Sequence, residues 1–217
     1  MLLRNSTRLN SLRLERMFRD AIAGWPHDGA QVFVRYSRGS DFSGACYYES
    51  DRIFINLGRH VSYPYKLRIN VARPQSNRTH WWRELYALEI RSPEELALFI
   101  FLHEFYHRLV KRAGRNIRQK EARCDRFATR VLVDHYGCVI RDTAGRLVNR
   151  SEWDFQDLNG FVEAARGSVR KSARKPLGRP RRKGVGRPGE VGGAGSAGSG
   201  AAVKSILSTL QGMLFEV

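Results

Sequence analysis

The stretch FIFLHEFYHRLVKRAG, residues 99 to 114, decides how the rest of the chain is interpreted. It is mostly apolar and contains two histidines, His103 and His107, with Glu104 between them. Residues four apart lie above one another on a helix, so both imidazoles project from one face. That spacing suits two nitrogen ligands of a zinc ion, with Glu104 as a general base beside it. The alternative is that both histidines are hydrogen-bonded polar residues of a core helix.

Both ends of this helix are marked in the sequence. Ser92, Pro93 and Glu95 provide a capping hydroxyl, a proline at the first helical position and a glutamate three residues after the cap. Gly114 can adopt the left-handed conformation that ends a helix. The sequence therefore predicts one helix from Pro93 to about Ala113.

A second helix carries residues that would complete a metal site. It is predicted to begin near Arg118 and to stop at Gly137. A catalytic zinc needs a third protein ligand, which Glu121 provides if this helix returns alongside the first. Asp125, one turn later, can accept a hydrogen bond from a ligand histidine. The packing face of this helix is expected to comprise Cys124, Phe127, Ala128, Val131 and Leu132.

The remaining segments predict a mixed α+β domain over residues 1 to 165. Residues 11 to 25 have the periodicity of an amphipathic helix, and residues 138 to 148 are typical of a hairpin. The strand-like runs are residues 31 to 37, 45 to 50, 51 to 57, 66 to 72 and 81 to 90. The last two runs are expected to pair, with a short helix as the alternative for 81 to 90. We therefore expect an N-terminal helix, a mainly antiparallel sheet and two ligand-bearing helices.

The composition narrows the class of protein. The formal net charge of +17 favours a polyanionic partner such as nucleic acid, although surplus Lys and Arg can also serve only to solvate a surface. Three cysteines without a Cys-x-x-Cys pair argue against a disulfide scaffold and fit a reducing compartment. No run approaches the roughly 18 apolar residues of a membrane span, and the first residues lack a signal-peptide core. The expected protein is soluble and cytoplasmic, with no membrane partner.

The C-terminal part of the chain differs sharply from the rest. Residues 166 to 202 are mostly Arg, Lys, Gly, Pro, Ser and Ala, so we expect a disordered basic linker. Residues 203 to 217 have apolar residues at helical spacing and form a short amphipathic segment. Two Gly-Arg-Pro triplets in the linker resemble half of an AT-hook, a minor-groove element; the alternative is a linker that contacts phosphates without specificity. The candidate nucleic-acid contacts are Arg179, Arg181, Arg182, Lys183 and Arg187.

The two central helices together resemble the gluzincin branch of the zincin metallopeptidases, in which His-Glu-x-x-His is followed by Glu-x-x-x-Asp on a second helix. The segment KEARCDRFATRVL, residues 120 to 132, is similar to the corresponding helix of ImmA/IrrE-like metallopeptidases. The resemblance covers about residues 92 to 137. It implies that His103, His107 and Glu121 bind Zn2+. It further implies that Glu104 is the general base and that Asp125 supports a ligand histidine.

A second resemblance concerns the arrangement of the chain. SprT-like proteases join a small zincin domain to a basic DNA-binding tail, as residues 1 to 165 and 166 to 202 do here. Those proteases usually use a third histidine as ligand, and this sequence has none suitably placed.

These resemblances imply a zinc-dependent metalloendopeptidase that hydrolyses peptide bonds with zinc-bound water. Its expected substrates are proteins or peptides, including DNA-associated proteins. His80, Tyr86 and Tyr106 are candidates to stabilise the oxyanion, whereas His135 lies too far along its helix from Glu121 and is interpreted as structural. One of the runs 51 to 57 or 66 to 72 would bind an extended substrate by main-chain pairing.

Two alternatives remain from the sequence. One is a non-catalytic DNA-associated or regulatory protein that retains a zincin-like fold. The other is an interaction protein that recruits a partner through residues 203 to 217. The substrate, the activation mechanism and the oligomeric state have no signal in the sequence.

Overall fold

Helix α2 (Pro93–Arg112) forms the centre of the structure, a computed structural model that describes residues 1–116 and 120–163. The Ser92 side chain accepts a hydrogen bond from the Glu95 backbone N–H at 3.2 Å, as predicted, and Gly114 ends the helix at φ +70°. The Glu95 carboxylate accepts from the Arg91 backbone N–H at 2.7 Å instead of returning to Ser92. Every residue from 95 to 110 is buried, which is typical of a helix enclosed on all sides.

The larger sheet covers one side of α2. Its strands are β1 (Leu2–Asn5), β2 (Gln31–Tyr36), β4 (Arg52–Leu57) and β3 (Phe42–Tyr47), in that spatial order. β1–β2 and β2–β4 are parallel, whereas β3–β4 is antiparallel. Helix α1 (Ser11–Ala21) connects β1 to β2 and packs on α2, where the Phe18 and Phe101 rings stack with centroids 4.4 Å apart. Strands β3 and β4 also pack on α2, so this helix is their shared core.

A smaller antiparallel sheet lies beside the first. It contains β5 (Tyr65–Ile69), β8 (Tyr86–Ile90) and the two-residue β9 (Ile140–Arg141), in the order β5-β8-β9. The expected pairing of the runs 66–72 and 81–90 is confirmed within narrower bounds. The start of the run 81–90 does not join this sheet. It forms β7 (Trp81–Trp82), which pairs with β6 (Gln75–Ser76) in a separate hairpin.

Helix α3 (Glu121–Tyr136) packs against α2, as predicted. It ends at Gly137, which has φ +65°. The hairpin at 138–148 is confirmed by the hydrogen bond from the Val148 N–H to the Ile140 carbonyl at 3.0 Å. Helix α4 (Arg150–Trp153) follows, and residues 158 to 163 are again helical. The predicted linker at 166–202 and the segment at 203–217 lie outside the described residues.

The mixed α+β class is confirmed, with four named helices and antiparallel pairing in four of the six strand pairs of the described residues. The expectation of a mainly antiparallel sheet is wrong for the largest sheet, where two of three pairings are parallel. The unexpected element is β1, which pairs in parallel with β2 through the α1 crossover. The same order makes β4 an interior strand, which excludes 51–57 of the two runs expected to pair with a substrate. The other run, 66–72, overlaps β5, a terminal strand of the smaller sheet.

A buried arginine fixes α2 to the loops on one side of the larger sheet. Arg108 is 2% exposed, and its guanidinium donates to Asp51 Oδ2 at 2.9 Å and to the carbonyls of Pro26 and Asp28 at 2.8 Å each. Burial of a guanidinium is costly unless all its donors are satisfied, and these partners satisfy them. Arg108 therefore stabilises the position of α2 and with it that of the neighbouring His107.

Replacing Arg108 with methionine keeps the apolar stem and removes these hydrogen bonds, leaving the Asp51 carboxylate without its main partner. We expect the free energy of unfolding to fall by about 3–5 kcal/mol, measured by urea denaturation. The matched control is Arg19→Ala, which removes an exposed i,i+4 ion pair with Glu15 and should cost only about 0.3–0.5 kcal/mol. Equal losses of unfolding free energy in the two variants would show that Arg108 stabilises the fold no more than an exposed ion pair does.

Candidate metal centre

Two histidines of α2 converge on one point. His103 and His107 lie on the face of α2 that packs on α3, with 0% and 2% of their surface exposed. Their ring centroids are 4.9 Å apart and their Nε2 atoms 3.2 Å apart. Two imidazole nitrogens this close, both directed at the same point, are typical of histidines that bind one metal ion.

Glu121 lies opposite the two histidines in the first turn of α3. Its Oε2 is 3.1 Å from His103 Nε2, and its Oε1 is 3.2 Å from His107 Nε2. Bonds of about 2.0–2.1 Å to a tetrahedral zinc place neighbouring ligand atoms about 3.3–3.4 Å apart. The three donors therefore lie close to the spacing that such an ion needs. The Glu121 side chain is 46% exposed, so the site opens to solvent on this side.

Asp125 orients the first histidine, as the sequence predicted. Its Oδ1 accepts from His103 Nδ1 at 2.8 Å, which directs Nε2 at Glu121 and His107. Its Oδ2 accepts from the Asn70 backbone N–H at 2.8 Å. Carboxylates in this position fix the tautomer of a metal-binding histidine and increase its basicity.

Cys124 adds a donor that the sequence assigned to the packing face. The buried group His103, His107 and Cys124, with ligand atoms all within 4.8 Å of one another, could bind a metal ion. Glu121 and Cys124 are therefore alternative third donors beside the same two histidines. The Glu121 oxygens are the better match to zinc because they lie 3.1–3.2 Å from the imidazole nitrogens. The Cys124 thiol is also difficult to ionise, since burial and then the nearby Glu121 and Asp125 carboxylates raise its pKa well above the usual range.

The hydrogen bonds of the centre favour the charged form of one histidine. Burial disfavours the charged form of His103, but hydrogen bonds to Asp125 and Glu121 outweigh it and raise its pKa to about 10. Burial lowers the pKa of His107. Burial also opposes ionisation of Glu121, but hydrogen bonds from both histidines outweigh it and hold the pKa of this carboxyl well below its usual range. His103 is therefore charged and Glu121 ionised at neutral pH.

Glu104 lies against the edge strand of the larger sheet. It is 0% exposed, and a Cβ atom added at Gly44 in β3 would lie 2.5 Å from Glu104 Oε1. A side chain at position 44 would thus displace the carboxylate or the neighbouring Ile100, whose Cγ2 would be 2.8 Å away. The close approach of β3 to α2 depends on this glycine.

The candidates for an oxyanion donor do not lie where the sequence placed them. The Tyr86 hydroxyl donates to Glu84 and Glu152, and the Tyr106 hydroxyl donates to the Leu158 carbonyl at 2.9 Å. His80 is in the exposed turn between β6 and β7, and His135 is exposed at the end of α3. None of the three candidates contacts the metal centre, and His135, which was interpreted as structural, does not contact it either.

Tyr48, which the sequence did not single out, lies closer to the centre. Burial raises the pKa of its hydroxyl, and the acidic groups of Cys46, Glu104, Cys124 and Glu121 raise it further. Two of those groups, Cys124 and Glu121, are candidate ligands of the metal centre. In the sequence Tyr48 lies within the predicted strand of residues 45 to 50, and that pattern carries no information about the distant helix that it approaches.

Comparisons with models of protein families, with curated proteins and with solved structures find no match to this chain. The family resemblance therefore stays a prediction. Among residues 1–116 and 120–163, no helix has both the length and the apolar character needed to cross a bilayer. The five basic residues predicted to bind nucleic acid, from Arg179 to Arg187, lie outside the described residues.

Zinc binding should release a proton. Because the raised pKa of His103 keeps Nε2 protonated below about pH 10, zinc must displace that proton at neutral pH. We expect zinc affinity to rise by about tenfold per pH unit near neutrality, and calorimetric heats to depend on the ionisation enthalpy of the buffer. A binding enthalpy that is the same in all buffers would contradict the protonated state.

The third ligand can be identified by substitution. Glu121→Ala should weaken zinc binding more than Asp125→Ala, for which about 10- to 100-fold is expected because that residue only orients a ligand. The cobalt-substituted wild type should lack the strong near-ultraviolet band of thiolate ligation. A thiolate band that disappears in Cys124→Ala would instead assign Cys124 as the third ligand.

Proposed function

We propose that the chain is a zinc-dependent metalloendopeptidase. The observation that carries this proposal is the convergence of His103 Nε2, His107 Nε2 and the Glu121 carboxylate. The two nitrogens are 3.2 Å apart, and each lies 3.1–3.2 Å from a different oxygen of Glu121. This convergence is accompanied by Glu104, which immediately follows the first histidine. Three protein ligands leave a fourth position open, which is the arrangement of catalytic rather than structural zinc. A purely structural site has no need of the adjacent carboxylate.

The donor set fits zinc, since imidazole nitrogens and a carboxylate oxygen are among its usual protein ligands. When bound, zinc supplies Lewis acidity that polarises the scissile carbonyl and lowers the pKa of water. Glu104 accepts a proton from the attacking water as the new C–O bond forms, and passes it to the amine as the C–N bond breaks. Its burial against β3 excludes bulk water from the base, while the exposed side of Glu121 admits water and substrate.

Strand β3 is the proposed substrate-binding edge. It is the terminal strand of the larger sheet, and none of the described strands pairs with its outer side. Its residue Gly44 abuts Glu104, so a peptide that paired with β3 in extended form would pass next to the base. Of the two runs predicted for this role, 51–57 is interior, and β5 in 66–72 is a terminal strand of the smaller sheet.

Tyr48 is the proposed oxyanion donor. It follows β3 directly, is half-buried and has the carboxylates of Glu104 and Glu121 in its surroundings. Its hydroxyl stays protonated at neutral pH because burial and these charges raise its pKa, so it can donate a hydrogen bond to a developing negative charge.

The basic C-terminal part supports a substrate class. Arg179, Arg181, Arg182, Lys183 and Arg187 give the linker a strong positive charge, as in the SprT-like arrangement that the sequence resembles. Such a linker would hold the enzyme near nucleic acid, where DNA-associated proteins are the nearest substrates.

A second candidate is a non-catalytic protein in which the metal has a structural role. The observation in its favour is Cys124, a buried thiol close to both histidines. If the thiol bound the metal together with Glu121, the fourth position would be filled and no water could be activated.

Glu104→Gln separates the two candidates, because it keeps the shape of the side chain and removes the base. The enzyme should lose about 10²- to 10⁴-fold in kcat for cleavage of casein while retaining one zinc per chain. The measurements are peptide release and metal content of the purified full chain.

The companion variant is Tyr48→Phe, which should lower kcat with little change in KM if the hydroxyl acts only in the transition state. A wild type that binds zinc but does not cleave any peptide under these conditions would support the structural role. A wild type without stoichiometric metal would remove both candidates.

A further inference from the structure

The hairpin of β6 and β7 places two tryptophans in solvent. Every residue from 73 to 82 is exposed, and Trp81 and Trp82 expose 72% and 43% of their surface. The turn is well formed, since the Asn77 side chain accepts hydrogen bonds from the backbone N–H groups of Thr79 at 3.0 Å and His80 at 2.7 Å. Two adjacent exposed indoles on an ordered hairpin are unusual for a surface that only faces water.

The same hairpin is purely basic in its charged residues. Residues 73 to 83 contain Arg73, Arg78 and Arg83 and neither aspartate nor glutamate. Arg73 is anchored beneath the hairpin, where its guanidinium lies 4.2 Å from the Phe155 ring centroid and donates to the Ser151 carbonyl at 3.3 Å. The hairpin therefore presents aromatic rings and positive charge together. This surface is complementary to an anion that also has flat apolar groups.

Two further arginines, Arg83 directly after β7 and Arg123 in the first turn of α3, add positive charge around Arg126. Among the described residues, Arg83 Nε and Arg123 Nη1 are shielded from solvent and have no hydrogen-bond partner. Both arginines lie near the buried Arg126, whose pKa is lowered to about 10 by burial and then by these positive charges among its neighbours. These positive charges repel one another, and the negative charge of a bound phosphate would offset that repulsion.

We propose that Trp81, Trp82, Arg83 and Arg123 form a binding face for single-stranded nucleic acid, with bases stacked on the indoles and phosphates bound by the guanidiniums. We call these four residues the aromatic–basic face. Stacking rings combined with positive charge are the general means of binding unpaired strands, since every base has a flat face and every nucleotide a phosphate. The bases of a duplex are already stacked on one another, so the face should prefer single strands. It is separate from the basic linker, and the proposal does not depend on peptidase activity.

The test uses the full chain and a short fluorescein-labelled oligothymidylate, with binding followed by anisotropy at moderate salt. The linker residues Arg179, Arg181, Arg182, Lys183 and Arg187 are changed to glutamine in all proteins compared, so that their own contacts with phosphate are removed from the background. Trp81→Ala with Trp82→Ala should weaken binding by about tenfold or more and abolish the preference over duplex of the same length. Trp81→Phe with Trp82→Phe, which keeps flat rings, should retain most of the affinity.

Matched controls separate the face from general charge and apolar area. Arg83→Gln with Arg123→Gln should weaken binding more than Arg13→Gln with Arg16→Gln, which removes the same charge from the exposed side of α1. Leu12→Ala removes an exposed apolar side chain of α1 and should have no effect.

The proposal is overturned if the alanine double variant, with an unchanged circular dichroism spectrum, binds the oligothymidylate as the background protein does. It is equally overturned if both arginine pairs have the same effect, which would indicate only non-specific charge. Binding of phosphatidylserine vesicles that requires both tryptophans, with no quenching of their fluorescence by oligothymidylate, would assign the face to a lipid surface instead.

Discussion

The Asp125 carboxylate is the point on which the metal centre depends. It is 2% exposed, and its two oxygens connect α3 to two other parts of the chain, His103 in α2 and the Asn70 backbone after β5. A buried carboxylate with both oxygens satisfied has a strict geometry, because loss of either partner leaves an unpaired charge in a low-dielectric interior. The ring of His103 and the register of α3 against α2 are therefore fixed together. The position of Glu121, one turn earlier on the same helix, follows from that register.

Buried arginines extend this arrangement to the surroundings. Arg126 follows Asp125 in α3 and donates to the carbonyls of Val71 and Ala72, in the same segment that contains Asn70. Arg108 follows His107 in α2 and binds the loops near Asp51 on the other side. His107 and Asp125 thus each have a neighbour in sequence that binds a loop. Part of the basic character of the chain serves the interior, so the net charge overstates what the surface offers to a polyanion.

The helices and their limits were predictable because their signals are local. The Ser92 cap, the Gly114 and Gly137 stops and the four-residue spacing of the histidines act within a few residues, and the structure confirms their effect. Strand order was not predictable, because β1 pairs with a strand about thirty residues away and β3 becomes the edge only when β4 joins β2. Cys124 and Tyr48 were missed for a related reason. Periodicity identifies a buried face, but it does not say which of its side chains approach an imidazole or a carboxylate on another element.

The unequal exposure of the three donors has a consequence for exchange with the surroundings. The imidazoles are enclosed by protein, whereas nearly half of the Glu121 side chain is exposed. An ion that bound here, or a chelator that removed it, would meet this carboxylate first. Rotation of one exposed side chain, without unfolding of the domain, would then open the centre to solvent. A ligand that rested on Glu121 from outside would cover the exposed side of the centre.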